Sequence, residues 1–302
     1  MLAHLQKIIT LALAAAAFGW LFYFRNEAPL LAAAGFLLIA GGYSGLLAVE
    51  FLMARWVNRG DPAPPPTMHE LLRAWVGESL IAPQVFFWRQ PFRANSVSNN
   101  ISQETAMRGR RGVVLVHGFF CNRGLWTPWL ERLQASGHAC VAVNLAPLFA
   151  SIDDYAPQIE AAVQQVTDAT GQPPLLVCHS MGGLAVRAWL KIYQGQASIY
   201  QVVTIGTPHH GTWLARLGHG QNARQMRLVS HWLAQLNHGV VGDDHARFTC
   251  WYSNCDNIVF PASTATLLGA NNQLVRGAGH IQMVFLPHVM DATLALLDAK
   301  PL

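Results

Sequence analysis

A serine, an aspartate and a histidine occur in this chain in an order and in surroundings that suit nucleophilic catalysis. The segment Leu175–Gly183 reads as a buried strand, a sharp turn around Ser180, and a helix. It matches the nucleophile-elbow pattern G-x-S-x-G, except that Cys178 replaces the first glycine. In such a turn the serine hydroxyl projects into a site, and N–H groups at the helix start can bind an oxyanion. Ser180 is therefore the predicted nucleophile.

A serine nucleophile needs a base and an acid that orients the base, and after this type of turn the acid precedes the histidine. Asp256 follows a predicted strand at Phe248–Tyr252 and lies in a turn-rich loop. The other aspartates after Ser180 precede that strand or fall in the last predicted helix, at positions 243, 244, 291 and 298. His280 follows the last predicted strand in a short loop, whereas His288 starts a helix. Asp256 and His280 are therefore the predicted acid and base.

The loop after the first predicted strand, His117-Gly118-Phe119, is expected to supply an oxyanion donor. Gly118 would let the backbone bend inward, so that the Phe119 N–H points at the site. His117 and His179 flank the two active-site turns, and we expect them to form hydrogen bonds rather than to react.

These residues need a scaffold, and from residue 112 the chain alternates short apolar strands with helices. Strands are predicted at 113–116, 140–145, 175–178, 199–205, 248–252 and 272–275. Helices are predicted at 126–134, 151–170, 184–193 and 289–298. This alternation indicates an α/β protein with a mostly parallel sheet covered by helices on both faces. Functional residues of such sheets gather at the carboxyl ends of the strands, which is where Ser180, Asp256 and His280 fall.

The apolar residues of the chain are concentrated at its N-terminus. Ile8–Phe24 and Ala28–Val49 contain no charged side chain, and about 20 apolar residues in a helix span a bilayer. We therefore predict a transmembrane helical hairpin with spans at 8–24 and 28–49. Gly41 and Gly45 have the spacing at which two such helices can touch. A signal peptide at residues 1–17 and a buried soluble hairpin are the alternatives, and the apolar residues that continue to Phe24 disfavour the signal peptide.

Two further segments each allow two interpretations. Asp61–Pro66 reads as a stiff, extended spacer, and Thr67 with Glu70 has capping-box spacing for a helix that ends at Pro83. This amphipathic helix either packs on the catalytic domain or lies in the lipid interface. Residues 213–237 precede the acid-bearing strand and carry apolar side chains among Arg and His. They form either a cover over the active site or an ordinary surface helix packed on the sheet.

The chain therefore divides into three predicted regions: the hairpin at 1–59, a Pro-rich linker and amphipathic helix at 60–108, and a catalytic domain at 109–302. Apolar residues make up 52% and charged residues 12% of the chain, which excludes disorder and a fully soluble particle. The net charge of +4 is too weak and too spread out to indicate nucleic-acid binding. The 5 cysteines, an odd number, leave at least one thiol unpaired within the chain.

Five motifs are specific in combination, and in chain order they are His117-Gly-Phe, Cys178-His-Ser-Met-Gly-Gly, Gly206-Thr-Pro-His-His-Gly-Thr, Asp256 and Gly279-His280. Together they resemble bacterial serine lipases and esterases of the α/β-hydrolase fold, and the related inositol-deacylase-like hydrolases of membranes. The resemblance covers about residues 110–300. It implies that Ser180, Asp256 and His280 form the triad, and that Phe119 and Met181 form the oxyanion hole.

The sequence departs from that pattern at two positions. Cys178 stands at the first elbow glycine and is small enough to be compatible with the turn. Many secreted bacterial lipases have an aspartate two residues after the catalytic histidine that helps to hold calcium, whereas this chain has Gln282. No CxxC or HExxH spacing offers a zinc site instead. We therefore predict no metal and no cofactor.

These observations predict a membrane-anchored serine hydrolase that cleaves carboxylic esters, chiefly of lipids, through an acyl-enzyme. The expected partners are a lipid or ester substrate and the bilayer, and the oligomeric state stays open. One alternative is an acyltransferase that uses the same triad with an alcohol as acceptor. Another is a catalytically silent hydrolase fold that serves as a membrane scaffold or receptor.

Charges around the predicted hairpin favour a bacterial inner-membrane protein with a cytoplasmic catalytic domain. Lys7, Arg55 and Arg59 would face one compartment and Arg25 the other, and cytoplasmic flanks carry the excess of Lys and Arg. Residues 55–111 add eight arginines against four acidic residues, which would attract an anionic inner leaflet. A periplasmic catalytic domain is the alternative.

Overall fold

A six-stranded parallel sheet forms the centre of the catalytic part of the chain. The computed structural model describes residues 1–101, 107–193, 199–238 and 245–298. The strands are β1 Val113–Val116, β2 Cys140–Val143, β3 Leu175–His179, β4 Gln201–Ile205, β5 Phe248–Ser253 and β6 Asn271–Val275. Their order across the sheet is β2-β1-β3-β4-β5-β6, and every neighbouring pair is parallel. The predicted strands are confirmed, with bounds that differ by one or two residues.

Helices cover both faces of this sheet, because successive strand side chains point to opposite faces and are apolar on both. In β1, Val114 and Val116 belong to one core cluster, whereas Val113 and Leu115 belong to the other. Four of the helices that contribute to these clusters are α5 Thr127–Ala135, α6 Ala156–Thr170, α7 Met181–Ile192 and α10 Pro287–Ala295. Side chains of α6 and α7 pack in the first cluster, and side chains of α5 and α10 pack in the second. The predicted α/β architecture is confirmed.

Two long apolar helices precede the sheet and pack against each other. They are α1, Leu2–Phe24, with 23 residues, and α2, Pro29–Val57, with 29 residues. Both are long and apolar enough to cross a membrane, and 6% of the apolar window of each is buried, whereas a core helix of a soluble protein is mostly buried. The predicted contact at Gly41 and Gly45 is wrong, since a Cβ at either position would have no neighbour within 4 Å. The close approach lies at Gly35, against the indole of Trp20.

The connector after α2, predicted as a stiff, extended spacer, is bonded to the catalytic part at its first residues. The Asn58 carboxamide oxygen accepts the Ala262 N–H at 3.0 Å. The Asp61 carboxylate accepts the Ser263 hydroxyl at 2.5 Å. These bonds fix the end of α2 beside the loop that follows β5.

The amphipathic helix α3, Met68–Pro83, begins with the predicted capping box. Thr67 Oγ1 accepts the Glu70 N–H at 3.2 Å, and Glu70 Oε2 accepts the Thr67 N–H at 2.8 Å. The α-helix ends at Pro83, as the sequence predicts, but the chain stays helical beyond it. A π-helical segment at Gln84–Arg89 and a short helix α4 at Gln90–Phe92 continue it. Proline lacks an N–H donor, and a widened turn accommodates that loss while the chain keeps its direction.

The two faces of α3 have different surroundings, and the sequence left open which environment this helix occupies. Its buried face, formed by Leu71, Ala74, Glu78 and Ala82, packs on α2 and on the catalytic part. Its opposite face presents a row of exposed apolar side chains one turn apart, Met68, Leu72, Val76 and Leu80. The helix therefore packs on the catalytic part and still offers an apolar surface outward.

Candidate active site

Ser180 lies in a strained turn between β3 and α7, as the elbow pattern predicts. Its backbone has φ 54° and ψ −130°, a conformation that a side chain with a Cβ rarely adopts. A Cβ at Gly182 would collide with the Val116 carbonyl oxygen, and a Cβ at Gly183 would collide with the Thr207 side chain. Both glycines are therefore needed for the close approach of helix and strand. Cys178 is fully buried, and burial raises the pKa of its thiol, so it fills core space as a neutral group.

Asp256 and His280 are in contact, each in a loop that follows a strand. His280 Nδ1 lies 2.9 Å from Asp256 Oδ2, and both side chains are buried. The other carboxylate oxygen, Oδ1, accepts the N–H groups of Ile258 at 2.9 Å and Val259 at 2.8 Å. Because the carboxylate accepts, Nδ1 carries the proton, and Nε2 is left as the basic nitrogen.

Carboxylates around His280 favour its protonated form. Burial opposes the charge on the ring, but Asp256 and, further away, Glu78 and Glu50 outweigh it and raise the pKa of His280 above 6.5. Ser180 and His280 line the same pocket, but no hydrogen bond joins Ser180 Oγ to His280 in this structure. Such contacts are often long without substrate and tighten when it binds. The structure thus brings the three predicted residues to one site and pairs two of them directly.

The predicted oxyanion donors also lie at this site. The backbone N–H groups of Phe119 and Met181 donate to no acceptor among the described residues. A Cβ at Gly118 would lie 2.6 Å from Ser180 Cβ, so this glycine allows the loop after β1 to approach the serine. Phe120 has φ 58°, and its carbonyl oxygen accepts a hydrogen bond from Gln6 Nε2 of α1 at 3.4 Å. A side chain of the N-terminal hairpin therefore contacts the oxyanion loop.

Glu78 of α3 is buried beneath the loop that carries His280, and the sequence analysis did not single it out. Its two oxygens accept the N–H groups of Ile281 at 2.9 Å and Gln282 at 2.8 Å. Desolvation by burial raises the pKa of Glu78 to about 7, although these two hydrogen bonds lower it in part. A glutamate on the apolar face of an amphipathic helix, in line with Leu71 and Ala74, was the signal that could have found it.

Glu50 of α2 reaches the same region through Asn257. Asn257 Nδ2 donates to Glu50 Oε2 at 2.8 Å, and Asn257 Oδ1 accepts the His280 N–H at 3.1 Å. The loops of the acid and the base are therefore tied to each other and to α2. This glutamate directly follows the apolar run, and the sequence analysis did not single it out either.

The flanking polar residues have structural partners. His117 Nδ1 donates to the Gly118 carbonyl at 2.9 Å and Nε2 accepts the Leu145 N–H at 3.0 Å, as expected. Burial lowers the pKa of His117 to about 4, so the ring is neutral. The expectation for His179 is wrong, since neither of its ring nitrogens forms a hydrogen bond with a described residue, and its ring instead packs against that of His280, with 4.5 Å between centroids. Gln282 Oε1 accepts the Gly279 N–H at 3.1 Å, so this amide supports the base loop.

A pocket of about 560 Å³ leads to Ser180 and His280. Phe119 and Phe120 line one side, and Leu214, Ala215, Gly218, Ala223 and Met226 line another. The segment 213–237 folds as a 3₁₀ turn at Trp213–Leu217 and two short helices, α8 Gln221–Gln225 and α9 His231–Asn237. Its first part borders the pocket, whereas Leu233 and Leu236 pack in the core, so both interpretations of this segment hold in part.

Comparisons with known proteins agree with this fold. Residues 113–243 match the sequence model of a family described as the alpha/beta hydrolase family. None of the curated proteins compared matches the sequence.

Solved structures of lipases have a similar fold. Lipase B of Aspergillus fumigatus is 19% identical, with a TM-score of 0.59 over 69% of this chain and 57% of the lipase chain. The mature form of lipase BlEst2 of Bacillus licheniformis is 17% identical, with a TM-score of 0.55 over 67% of this chain and 96% of that chain. This chain therefore spans less than two thirds of the fungal lipase and nearly all of the bacterial one. The parallel sheet, the elbow between β3 and α7, and these matches together identify the part of the chain from β1 to α10 as an α/β-hydrolase fold.

Proposed function

We propose that this chain is a membrane-anchored serine hydrolase that cleaves carboxylic esters, chiefly of lipids. The observation that carries the proposal is the Asp256–His280 pair, which lines one pocket with a serine held in a strained elbow. A fold alone does not imply an activity, so the argument rests on these side chains.

In this proposal Ser180 attacks the ester carbonyl, and His280 Nε2 takes the hydroxyl proton. Asp256 holds the imidazole in the required tautomer and stabilises the imidazolium that forms. The Phe119 and Met181 N–H groups donate to the oxyanion, because neither has another acceptor in the described part of the chain. His280 then protonates the leaving alcohol, and water hydrolyses the acyl-enzyme by the reverse proton path.

A lipid substrate and a membrane location are supported by the apolar surfaces of the protein. The pocket is lined mainly by apolar side chains, which suit acyl chains. The hairpin α1–α2 exposes large apolar residues along both helices, and exposed apolar surface of that extent is unusual on a soluble protein. The names of the structural neighbours, which are lipases, agree with this substrate class.

The proposal is tested on the full chain purified in mild detergent, with a short soluble ester as substrate. Ser180→Ala should lower kcat by about 10⁶, as loss of a triad serine does, and should abolish labelling by a fluorophosphonate. Asp256→Asn should lower kcat by about 10⁴, because the imidazole loses its orienting carboxylate.

Two matched controls stay close to wild type in this proposal. Ser136→Ala and Asp291→Asn change an exposed serine and an exposed aspartate that do not line the pocket. Retention of a tenth of wild-type activity by Ser180→Ala would contradict the proposal, as would an equal loss in the controls. Ester products formed with an added acceptor alcohol would favour the acyltransferase, whereas an unlabelled, inactive wild type would favour the silent scaffold.

A further inference from the structure

One wall of the active-site pocket is formed by α2, the second helix of the predicted membrane hairpin. Tyr43, Leu46, Leu47 and Glu50 of α2 line the pocket together with Ser180. The side chain of Leu46 is 62% exposed while it borders the pocket, which places it at the opening. The route from outside to the serine therefore passes along α2.

The positions of these residues along α2 indicate the depth at which the pocket would open in a bilayer. Helical residues rise about 1.5 Å each, so about 20 residues after the turn at residue 28 cross a hydrocarbon layer of about 30 Å. Leu46 and Leu47 then lie at the near edge of that layer, and Tyr43 lies about one turn deeper. Glu50 lies just beyond the edge. The pocket would open at the boundary between acyl chains and headgroups.

The helix α3 runs beside this opening and is held there by hydrogen bonds. Tyr43 Oη donates to the Ser79 carbonyl at 2.6 Å, and Trp75 Nε1 donates to the Ser44 carbonyl at 2.8 Å. The outward face of α3 is the exposed apolar row at 68, 72, 76 and 80. A helix that packs on the protein by one face and is apolar on its outer face suits the interfacial layer of a bilayer. The surfaces of α2 and α3 on the two sides of the opening are thus apolar where they would face the membrane.

We propose that α2 and α3 form a lateral portal, through which a long-chain ester lipid passes from the adjoining leaflet to Ser180 with its acyl chain first. The inference rests on the proposed function and names its substrate class, a lipid ester resident in the same bilayer as the enzyme. An acyl chain that moves from the hydrocarbon layer into the pocket stays in apolar surroundings, and avoids the cost of exposing its CH₂ groups to water.

The portal is tested by comparing hydrolysis of a lipid substrate in the same bilayer as the enzyme with hydrolysis of the same lipid in separate vesicles. In one sample the enzyme is reconstituted into vesicles of dioleoyl phosphatidylethanolamine, dioleoyl phosphatidylglycerol and dioleoylglycerol. In the other sample it is reconstituted into ether-linked lipids, and the oleoyl lipids are added as separate vesicles. Lateral entry predicts that oleate is released at least about tenfold faster in the first sample, whereas a soluble short ester is hydrolysed equally in both. Equal oleate release in the two samples would overturn the portal.

A matched pair of substitutions on α2 tests the path itself. Leu46→Trp narrows the opening and should slow oleate release by about tenfold, which is what one badly fitting apolar group costs in an apolar pocket, and should slow oleate release more than hydrolysis of the short ester. Leu38→Trp changes an exposed leucine of the same helix that does not line the pocket, and should affect neither rate. Equal effects of the two variants on oleate release would refute the portal.

The soluble ester separates failure of the portal from failure of the proposed function. Hydrolysis of that ester and labelling of Ser180, without faster oleate release from the same bilayer, would overturn the portal alone. Absence of both ester hydrolysis and labelling would overturn the proposed function, and the portal with it.

Discussion

Glu78 is a buried carboxylate that faces the catalytic loop from a helix outside the sheet. It accepts two backbone N–H groups of the segment that directly follows His280, and its charge raises the pKa of that histidine together with Asp256. It touches none of the proposed reacting atoms. Its proposed role is therefore to position the base loop and to set the pH at which His280 becomes neutral.

Glu78→Gln should move the acidic limb of the kcat/KM profile to lower pH. The base must be neutral to accept the Ser180 proton, so activity rises as pH increases through the pKa of His280, which lies above 6.5. Removal of a nearby negative charge favours the neutral ring and lowers that pKa. The measurement is the pH dependence of short-ester hydrolysis, with the exposed Glu131→Gln as control. An unchanged limb in Glu78→Gln would show that this glutamate has a structural role only.

The same substitution should change how stability depends on pH. The pKa of Glu78 is raised from 4.5 to about 7 in the folded chain, so the folded state holds a proton that the unfolded state has released. Stability due to this group therefore falls as pH rises from about 4.5 to about 7. Glu78→Gln removes that fall, although it leaves one backbone N–H without an acceptor at a cost of about 1–3 kcal/mol. Thermal unfolding in detergent across this pH range measures both effects.

At the residue scale, sequence reasoning found the groups whose position follows from a local pattern. Ser180, Asp256 and His280 each follow a strand, and parallel strands bring their carboxyl ends together, so their proximity could be predicted. Glu50 and Glu78 could not be placed in the same way. Their partners, Asn257 and the loop after His280, lie about 200 residues away in the sequence, and only tertiary packing determines which helix covers that loop.

At the element scale, the strand cores were predictable and their ends were not. The predicted β2 continues to Leu145, but the observed strand ends at Val143. Val143 pairs with Val116, the last residue of β1, and β2 is the edge strand, so no backbone partner remains beyond it. Strand ends depend on the length of the neighbouring strand, which a local apolar pattern does not contain.

The helices α2 and α3 are joined by more than the connector between them. Hydrogen bonds from Tyr43 and Trp75 link the two helices, and Glu50 and Asn58 of the α2 side bond to loops of the catalytic part. If the connector were the only link, cutting the connector would let the hairpin separate from the catalytic part. The observed contacts predict that it stays bound.

A protease site inserted after Ala63 tests this attachment. After cleavage, the fragment with α1 and α2 should co-elute with the catalytic fragment in mild detergent, and short-ester activity should stay within about twofold of the uncut protein. The fragments should separate more readily in a cut protein that also carries Tyr43→Phe and Trp75→Phe, because two hydrogen bonds of the α2–α3 contact are lost. Complete separation of the unsubstituted fragments would contradict the attachment.

At the scale of the whole molecule, the N-terminal helices bond to three of the loops that form the proposed site. Gln6 of α1 bonds to the oxyanion loop, Glu78 of α3 to the base loop, and Glu50 of α2 to the acid loop through Asn257. The three predicted regions are therefore connected at the proposed active site rather than arranged in series as anchor, linker and enzyme. Apolar length predicted the hairpin but carried no information about these contacts.

The arrangement of the hairpin also bears on the side of the membrane on which the catalytic part lies. The start of α1 meets the catalytic part, since Lys7 Nζ lies 5.3 Å from the centre of the Phe92 ring and Gln6 donates to Phe120. Both chain segments that flank the hairpin are thus on the catalytic side. Arg55 and Arg59 add to Lys7 there, whereas Arg25 lies at the turn between α1 and α2.

The excess of positive charge on the catalytic side predicts that this side is cytoplasmic. The arginines between residues 55 and 111 strengthen the expectation, because they would be attracted to an anionic inner leaflet. A reporter fused after Leu302 measures it: green fluorescent protein should fluoresce, and alkaline phosphatase should be inactive. The substitutions Arg55→Glu and Arg59→Glu reverse two positive charges on the catalytic side. In the same assay they should reduce the fraction of protein whose catalytic part lies in the cytoplasm. An active phosphatase fusion on the unsubstituted chain would place the catalytic part outside, and the lateral portal would then draw lipids from the outer leaflet.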